Sequence, residues 1–329
     1  MTQIRLLAID LAKNVFQLHG VDEHGVCLLR QRVRRAQLLR LVNQVPPCTV
    51  AMEACGGAHE WGRRFAELGH QVRLIAGQFV KPFVKGNKTD RNDAEAICEA
   101  TRRPGMRFLA LKTVEQQQVL ALHRVRSCAV KTRTALANQI RGLLTEFGVI
   151  APPGFQTLLR VLPELLEDRD HHLPPLLLAE LHIQARRLSE LNKEVLRLTD
   201  CIDQAARTDD RTQALMRRRG VGPLVASTFA AAVGDARVFK NGRQVAAWLG
   251  LVPRQRSTGD KPILLGISKR GDAYLRTLLI HGARAAMRTA DRHDDPTSRW
   301  VCEVKARRGV HKATVALANK MARQLWAQL

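Results

Sequence analysis

Two short apolar runs, each closed by an acid, constrain this chain most. They are IRLLAID at residues 4–10 and CTVAME at residues 48–53. Runs of that length bounded by turn signals read as buried strands. Around them lie VFQLH (15–19), a turn at Asp22–Gly25, an extended stretch over 26–35 and a helical pattern over 37–45 that Pro46 and Pro47 break. A helix over 58–69, stopped at Gly69, and the strand QVRLIA (71–76) follow. A hairpin-rich start followed by strands alternating with helices predicts an α/β sheet. In an open α/β sheet, side chains at the carboxyl ends of neighbouring strands converge on one edge. Asp10 and Glu53 occupy two such ends.

Two further acids stand in KTDRNDAEAI. Asp90 and Asp93 are three residues apart at the start of a predicted helix, so they share one face. Four carboxylates gathered at one edge repel unless a cation neutralises them. Mg²⁺ suits that role, because it takes hard oxygen ligands and binds substrate phosphates beside a few carboxylates. Two such ions can clamp the attacking and leaving oxygens of a phosphoryl displacement. Each acid also has an ordinary reading. Strand-end acids form turns, first-turn acids complement the helix dipole, and Asp90 suits a helix N-cap.

Charge narrows the partners. The 329 residues carry a net charge of +23. Such a basic chain is drawn to a polyphosphate, whose counterions it releases on binding. The excess is uneven. Residues 1–105 hold 16 Lys/Arg against 10 Asp/Glu, residues 106–210 hold 14 against 13, and residues 211–329 hold 23 against 7. The last third, at net +16, is the candidate phosphate-backbone surface. The near-neutral middle suits a scaffold. Seven scattered cysteines without C-x-x-C spacing read as free thiols in a reducing cytosol. The start lacks a signal-peptide layout and no run of 18 apolar residues occurs, so a cytoplasmic protein without a membrane partner is expected.

The middle reads as one long helix from Val114 to Phe147, ended by Pro152, Pro153 and Gly154, and a second from Leu176 to Arg207. Leu181, Leu188, Leu191, Val195, Leu198 and Ile202 fit a heptad seam, so a helical hairpin or coiled coil is expected. Past residue 211, Arg217, Arg218 and Arg219 precede Gly220-Val221-Gly222-Pro223 and a helix. That pattern is similar to a helix-hairpin-helix element, whose glycine-turn amides meet a DNA phosphate. Helices are predicted over 242–249, 271–289 and 311–327. Between the first two, Ser257 stands in a polar loop after Pro253, beside Arg254 and Arg256 and before Gly259. Serine needs activation to attack, and neighbouring arginines can offset charge developing on a phosphate. The plain alternative is that Ser257-Thr258-Gly259-Asp260 is a surface turn. Lys269 and Arg270 form a second basic loop, and Arg276 follows on the next helix. His123, His171, His172, His281 and His311 show no metal-ligand spacing. Aromatics make up 4% of the chain, too few for base-stacking platforms to dominate.

The motifs IDLAKNVFQLHG, VAMEACGG and NKTDRNDAEAI, with RGVGPLVASTFAAAVGD, FKNGRQVAAWLGLVPRQRSTGDK and GISKRGDAYLRTLLIHGARAA, carry a resemblance over nearly the whole chain. It resembles a DEDD transposase of the insertion-sequence family that includes the Piv-type DNA invertases. The resemblance implies a RuvC-like, ribonuclease-H-type domain over 1–105, an assembly hairpin over 106–210 and a basic, mainly helical transposase domain over 211–329. It implies that Asp10, Glu53, Asp90 and Asp93 bind Mg²⁺ and that Ser257 forms a transient phosphoserine link to DNA. It further implies a structured non-coding guide RNA, and tetramers in which one subunit's serine serves another's carboxylates. Two readings compete. A junction-resolvase-like nuclease would use the four acids with water and tolerate loss of Ser257. A non-catalytic nucleic-acid-binding protein would explain the charge and leave the acids without purpose.

Overall fold

A computed structural model describes residues 3–86, 89–168, 173–259 and 261–329, with Asp90 described in its backbone only. His171, His172 and Asp260, named above, lie outside the described residues. The chain divides into two compact units, Met1–Gln116 with Val233–Lys240, and Gln117–Ala232 with Asn241–Leu329.

In the first unit the described strands are β1 (Leu6–Asp10), β2 (Val15–Val21), β3 (Cys27–Arg34), β4 (Thr49–Glu53), β5 (Gln71–Ile75) and β6 (Phe108–Leu109). They form one mixed sheet in the order β3-β2-β1-β4-β5-β6. β1 runs antiparallel to β2 and parallel to β4, and β4 runs parallel to β5. The helices are α1 (Arg35–Gln44), α2 (Ala58–Glu67), the single turn α3 (Gly77–Val80) and α4 (Asp90–Arg102). Alternate strand residues feed two cores. Leu7, Ile9, Val50 and Met52 pack with Leu38 and Val42 of α1 and Trp61 and Phe65 of α2. Leu6, Ala8 and Ala51 pack with Ala96, Ile97 and Ala100 of α4 on the other face. Small residues on β1 and β4 let α4 lie close against the sheet.

The second unit is helical, with α5 (Val114–Glu146), α6 (Phe155–Glu167), α7 (Pro175–Thr208), α8 (Asp210–Met216), α9 (Pro223–Val233), α10 (Gly242–Trp248), α11 (Ala273–Met287), α12 (Pro296–Arg308) and α13 (Val310–Trp326). The two long helices stand where the sequence places them. Their pairing is antiparallel and steps by seven: Arg126 donates to Thr199 Oγ1 at 2.7 Å, and Arg133 to Asn192 Oδ1 at 2.8 Å. Of the six seam residues, Leu181, Leu188, Val195, Leu198 and Ile202 are buried and Leu191 is partly so.

Three expectations are corrected. The helical hairpin contains a third helix: α6 packs Leu158, Leu162 and Leu166 into the same core. Its proline punctuation hid it, since Pro152 and Pro153 precede it and Pro163 lies within it. The helix α12 was likewise unread. Ser257 is not in a loop but in β7 (Pro253–Thr258), paired antiparallel with β8 (Lys261–Ile267) as a two-stranded ribbon. β7 has no apolar alternation to announce a strand.

One buried polar cluster ties α5, α9 and α11 together. His123, 1% exposed, meets Tyr274 Oη through Nδ1 at 3.0 Å. Its Nε2 meets Ser227 Oγ and Thr228 Oγ1, each at 3.0 Å. Those hydroxyls donate to the carbonyls of Pro223 and Leu224, so they accept from an Nε2–H, and Nδ1 accepts from the tyrosine. The ring is therefore held neutral. Burial, with the Arg126 charge adding to it, pushes its pKa down from 6.5 to about 4. Between those values the unfolded chain binds the proton and the folded chain does not, so stability rises with pH. The contribution is complete above about pH 6.5 and is lost as pH falls through about 4, an interval worth about 3 kcal/mol. Thermal melts of the wild type and His123→Gln should therefore converge by about that amount between pH 7 and pH 4. A gap that stays constant would show that the imidazole is not held neutral.

Candidate active site

The carboxylates are placed by register. Ile9 of β1 pairs with Met52 of β4, and Asp10 and Glu53 are the next residues along these parallel neighbours. Period two puts both on the face that Leu6, Ala8 and Ala51 present to α4. Both side chains are partly buried.

α4 brings the third acid to the same edge. The Arg102 guanidinium donates to the His24 carbonyl at 3.1 Å, so the helix ends at the β2–β3 turn, beside the start of β1. Midway, Glu95 pairs with Arg30 of β3 at 3.5 Å. The helix therefore runs against β1. From Arg102 back to Asp93 it spans about 13 Å at ~1.5 Å per residue. From Leu6 to Asp10 the strand also covers about 13 Å at ~3.3 Å per residue. Asp93 thus comes level with Asp10. Thr89, not Asp90, caps the helix: its Oγ1 accepts from Asn92 N at 3.3 Å. Asp90 is the first helical residue, and its side chain lies outside the described residues.

Two residues that sequence reasoning passed over report on this edge. Gly77 opens α3 against Glu53, and a Cβ there would stand 2.9 Å from the Glu53 carboxyl carbon. A side chain there would have to push the Glu53 carboxylate aside. Cys55 follows β4. Desolvation raises its thiol pKa, and the charges of Glu53 and then Asp10 raise it further. The thiol therefore sits in the shared negative field of both carboxylates. The motif VAMEACGG carried Cys55 in plain view, but nothing in the sequence tied it to Asp10.

The donor set tests the fit of a cation. Among the described residues, no three His, Cys, Asp or Glu side chains come close enough to hold a metal by themselves. Mg²⁺ needs no full protein cage, since it keeps waters and binds through one or two carboxylates plus substrate phosphates. Asp10 and Glu53, hard oxygen donors side by side in a shared field, fit that mode.

The serine and the basic residues lie in the other unit. Ser257 is exposed on β7, where its Oγ accepts from Gln255 Nε2 at 2.8 Å. Arg254 and Arg256 flank it and are exposed, and the ribbon turns at Gly259, φ 59°. Lys269 and Arg270 are exposed in the loop after β8, where Lys269 holds φ 55°. Arg276 points inward, donating to the carbonyls of Leu249 at 3.0 Å and Arg270 at 3.4 Å. Between α8 and α9, Arg217, Arg218 and Arg219 are exposed and Gly222 precedes Pro223. Gly220, φ 78°, leaves no room for a Cβ against the Gly282 carbonyl. Arg219 binds Asp295 Oδ2 at 3.1 Å and Ser298 Oγ at 2.7 Å. The Ser298 hydroxyl and amide hold the Asp295 carboxyl far below the usual carboxylate range. Arg219 and Arg276 therefore already have protein partners. Among the described residues no helix is long and apolar enough to cross a membrane.

Residues 212–298 match the family model described as Transposase IS116/IS110/IS902 family. Residues 7–149 match a model of IS110 DEDD transposases, described as Transposase. The chain is 52% identical to a Pseudomonas aeruginosa protein named "Probable family 20 transposase", over 98% of this chain and 96% of the relative. It is 45% identical to the transposase for insertion sequence element IS1111A of Coxiella burnetii, over 100% of this chain and 90% of the relative. It is 43% identical to the transposase for insertion sequence element IS1328 of Yersinia enterocolitica, over 99% and 97%.

The shared field around Cys55 is open to direct measurement. Glu53→Gln and Asp10→Asn should each lower the thiol pKa and so speed Cys55 alkylation at pH 8, read peptide by peptide in a mass spectrometer. Rates unchanged in both variants would show that the two carboxylates do not converge there.

Proposed function

Because the chain belongs to the IS116/IS110/IS902 family, and so is a transposase of an insertion sequence and an enzyme acting on DNA, we propose that it cuts and rejoins DNA at a RuvC-like, Mg²⁺-dependent carboxylate site with Ser257 as nucleophile. The observation that carries the proposal is the placement of Asp10 and Glu53 at adjacent parallel strand ends, with the start of α4 over them. Asp10 and Glu53 would hold the metal beside a substrate phosphate, and Asp90 and Asp93 would join them once it is bound. When bound, it offsets charge on the phosphate oxygens.

Ser257 Oγ attacks the phosphorus and its hydroxyl proton leaves. A P–O bond to one deoxyribose oxygen breaks, and that oxygen takes up a proton. The phosphoserine link conserves the bond energy, so a hydroxyl of the incoming strand reverses the step and frees the serine. Arg254 and Arg256 flank the phosphate and steady its developing charge. Arg217, Arg218, Lys269 and Arg270, with the amides at Gly220 and Gly222, hold backbone phosphates of element ends and target. A structured guide RNA supplies sequence choice by base pairing, and the protein reads its shape. Subunits assemble through the α5–α7 hairpin as dimers that join into tetramers, the serine of one copy serving the carboxylates of another.

A trapping assay tests this reading. Protein, element-end DNA, co-expressed RNA and Mg²⁺ should give a DNA-shifted protein band on a denaturing gel. Ser257→Ala, Asp10→Asn and removal of the metal by chelation should each abolish it. DNA cut without any band would favour water as nucleophile, and a band surviving Ser257→Ala would move the role to Thr258. Gly77→Ala should displace the Glu53 carboxylate and slow cleavage by about 10²-fold with the melting temperature little changed. Cleavage at the wild-type rate would remove Glu53 from the chemistry.

A further inference from the structure

The second unit holds a groove that neither the carboxylates nor Ser257 explain. It encloses about 1270 Å³. Leu264, Leu265 and Ile267 of β8 form one side, and Trp300 of α12 with Val315 and Trp326 of α13 form the other. This exceeds the ~300–1,000 Å³ of a small-molecule site, so the space suits a segment of polymer. Ile263, Leu264 and Leu265 are 50%, 66% and 43% exposed, so the strand offers a contiguous run of apolar surface.

The groove's charge names the partner. His311, Lys312, Lys320 and Arg323 stand in its lining, and no described carboxylate does. Lys312, Lys320 and Arg323 rise along one helix over about 16 Å, at ~1.5 Å per residue. Lys320 Nζ sits over the Trp300 ring, 4.3 Å from its centre, so a base that stacks on that face displaces the ammonium towards its own phosphate. A phosphate next to a base needs that combination, whereas an apolar peptide needs only the greasy wall. A second copy of this chain would bring a body of net charge +23 against a cationic rim. The groove also gathers two of the chain's four tryptophans, a local concentration that the 4% aromatic total conceals.

We propose that this groove binds a single-stranded stretch of the element's DNA, its unpaired bases stacked on Trp300 and Trp326 and its phosphates held by Lys312, Lys320 and Arg323. A strand opened for exchange exposes unpaired bases, and stacking accepts any of them. The inference rests on the chain acting on DNA and is independent of the roles given to Ser257 and the carboxylates.

Fluorescence anisotropy on the full-length protein tests it, with a labelled 12-nucleotide oligodeoxythymidylate, a 12-base-pair DNA duplex and a 12-nucleotide oligouridylate as probes. Trp300→Ala should weaken single-stranded DNA binding at least about fivefold and leave duplex binding unchanged, while Trp300→Phe should retain most of the affinity. Lys312→Ala and Arg323→Ala, on an exposed helix face, should each lower the slope of log affinity against log salt by about one. Equal losses on duplex and single strand would overturn the proposal, as would no loss on either. Tighter oligouridylate binding with the same Trp300 dependence would assign the groove to RNA and overturn the DNA assignment. A change of oligomeric state in Trp300→Ala on gel filtration would give the groove to a second copy instead.

Discussion

Parallel pairing of β1 with β4 forces two carboxylates side by side, and most of the first unit is arranged around that pairing. Ile9 and Met52 are buried on one face, and Ala8 and Ala51 on the other. A slip of one residue would turn each of them to the wrong side, so the register is pinned from both faces. The like charges at the next step along the strands cannot part without breaking it. Cys55 feels their summed field. Repulsion held in place by packing is relieved best by a cation, which fits the divalent-metal use of DEDD transposases.

The second unit solves a different problem. Its two long helices are nearly neutral and are locked by polar pairs spaced seven residues apart, Arg126 with Thr199 and Arg133 with Asn192. A partly buried polar pair at a fixed repeat sets register more sharply than leucines alone, which tolerate sliding. The His123 cluster extends the same logic to α9 and α11, since three elements must align before its ring nitrogens are satisfied. The last third of the chain is strongly basic, at net +16. Some of that charge is nevertheless spent internally, by Arg219 on Asp295 and by Arg276 on backbone carbonyls. A charge count therefore overstates the surface left for phosphate.

Legibility followed periodicity. β1, β4, β5 and the long helices were plain because apolar residues repeat there at the spacing of the element. The alignment of Asp10 with Glu53 was also readable, because strand ends converge whatever the side chains between them. What escaped the sequence lacked a repeating core face. α6 was masked by its prolines, and β7 is polar throughout and buries nothing. Gly77 and Cys55 act through contacts distant in sequence, and no local pattern encodes a close approach. The groove at Trp300 and Trp326 was invisible for a compositional reason: a low aromatic total says nothing about whether two rings line one groove.

The β7–β8 ribbon shows how order and exposure coexist around Ser257. A lone two-stranded ribbon is marginal in water and has two bare edges. This one is anchored at its root. Ser268 N donates to the Val252 carbonyl at 2.8 Å, and Lys269 N to the Gly250 carbonyl at 3.1 Å. Gly250 and Gly271 admit the backbones of residues 269–270 and of Trp248 where any Cβ would collide. Arg276 closes the same knot from α11. The direction of the ribbon is therefore set at its base, while the hydroxyl it carries stands in solvent with Gln255 as its hydrogen-bond donor. A hydroxyl so placed is aimed but not activated, so a serine acting as the nucleophile here would need groups from outside the ribbon to complete its chemistry.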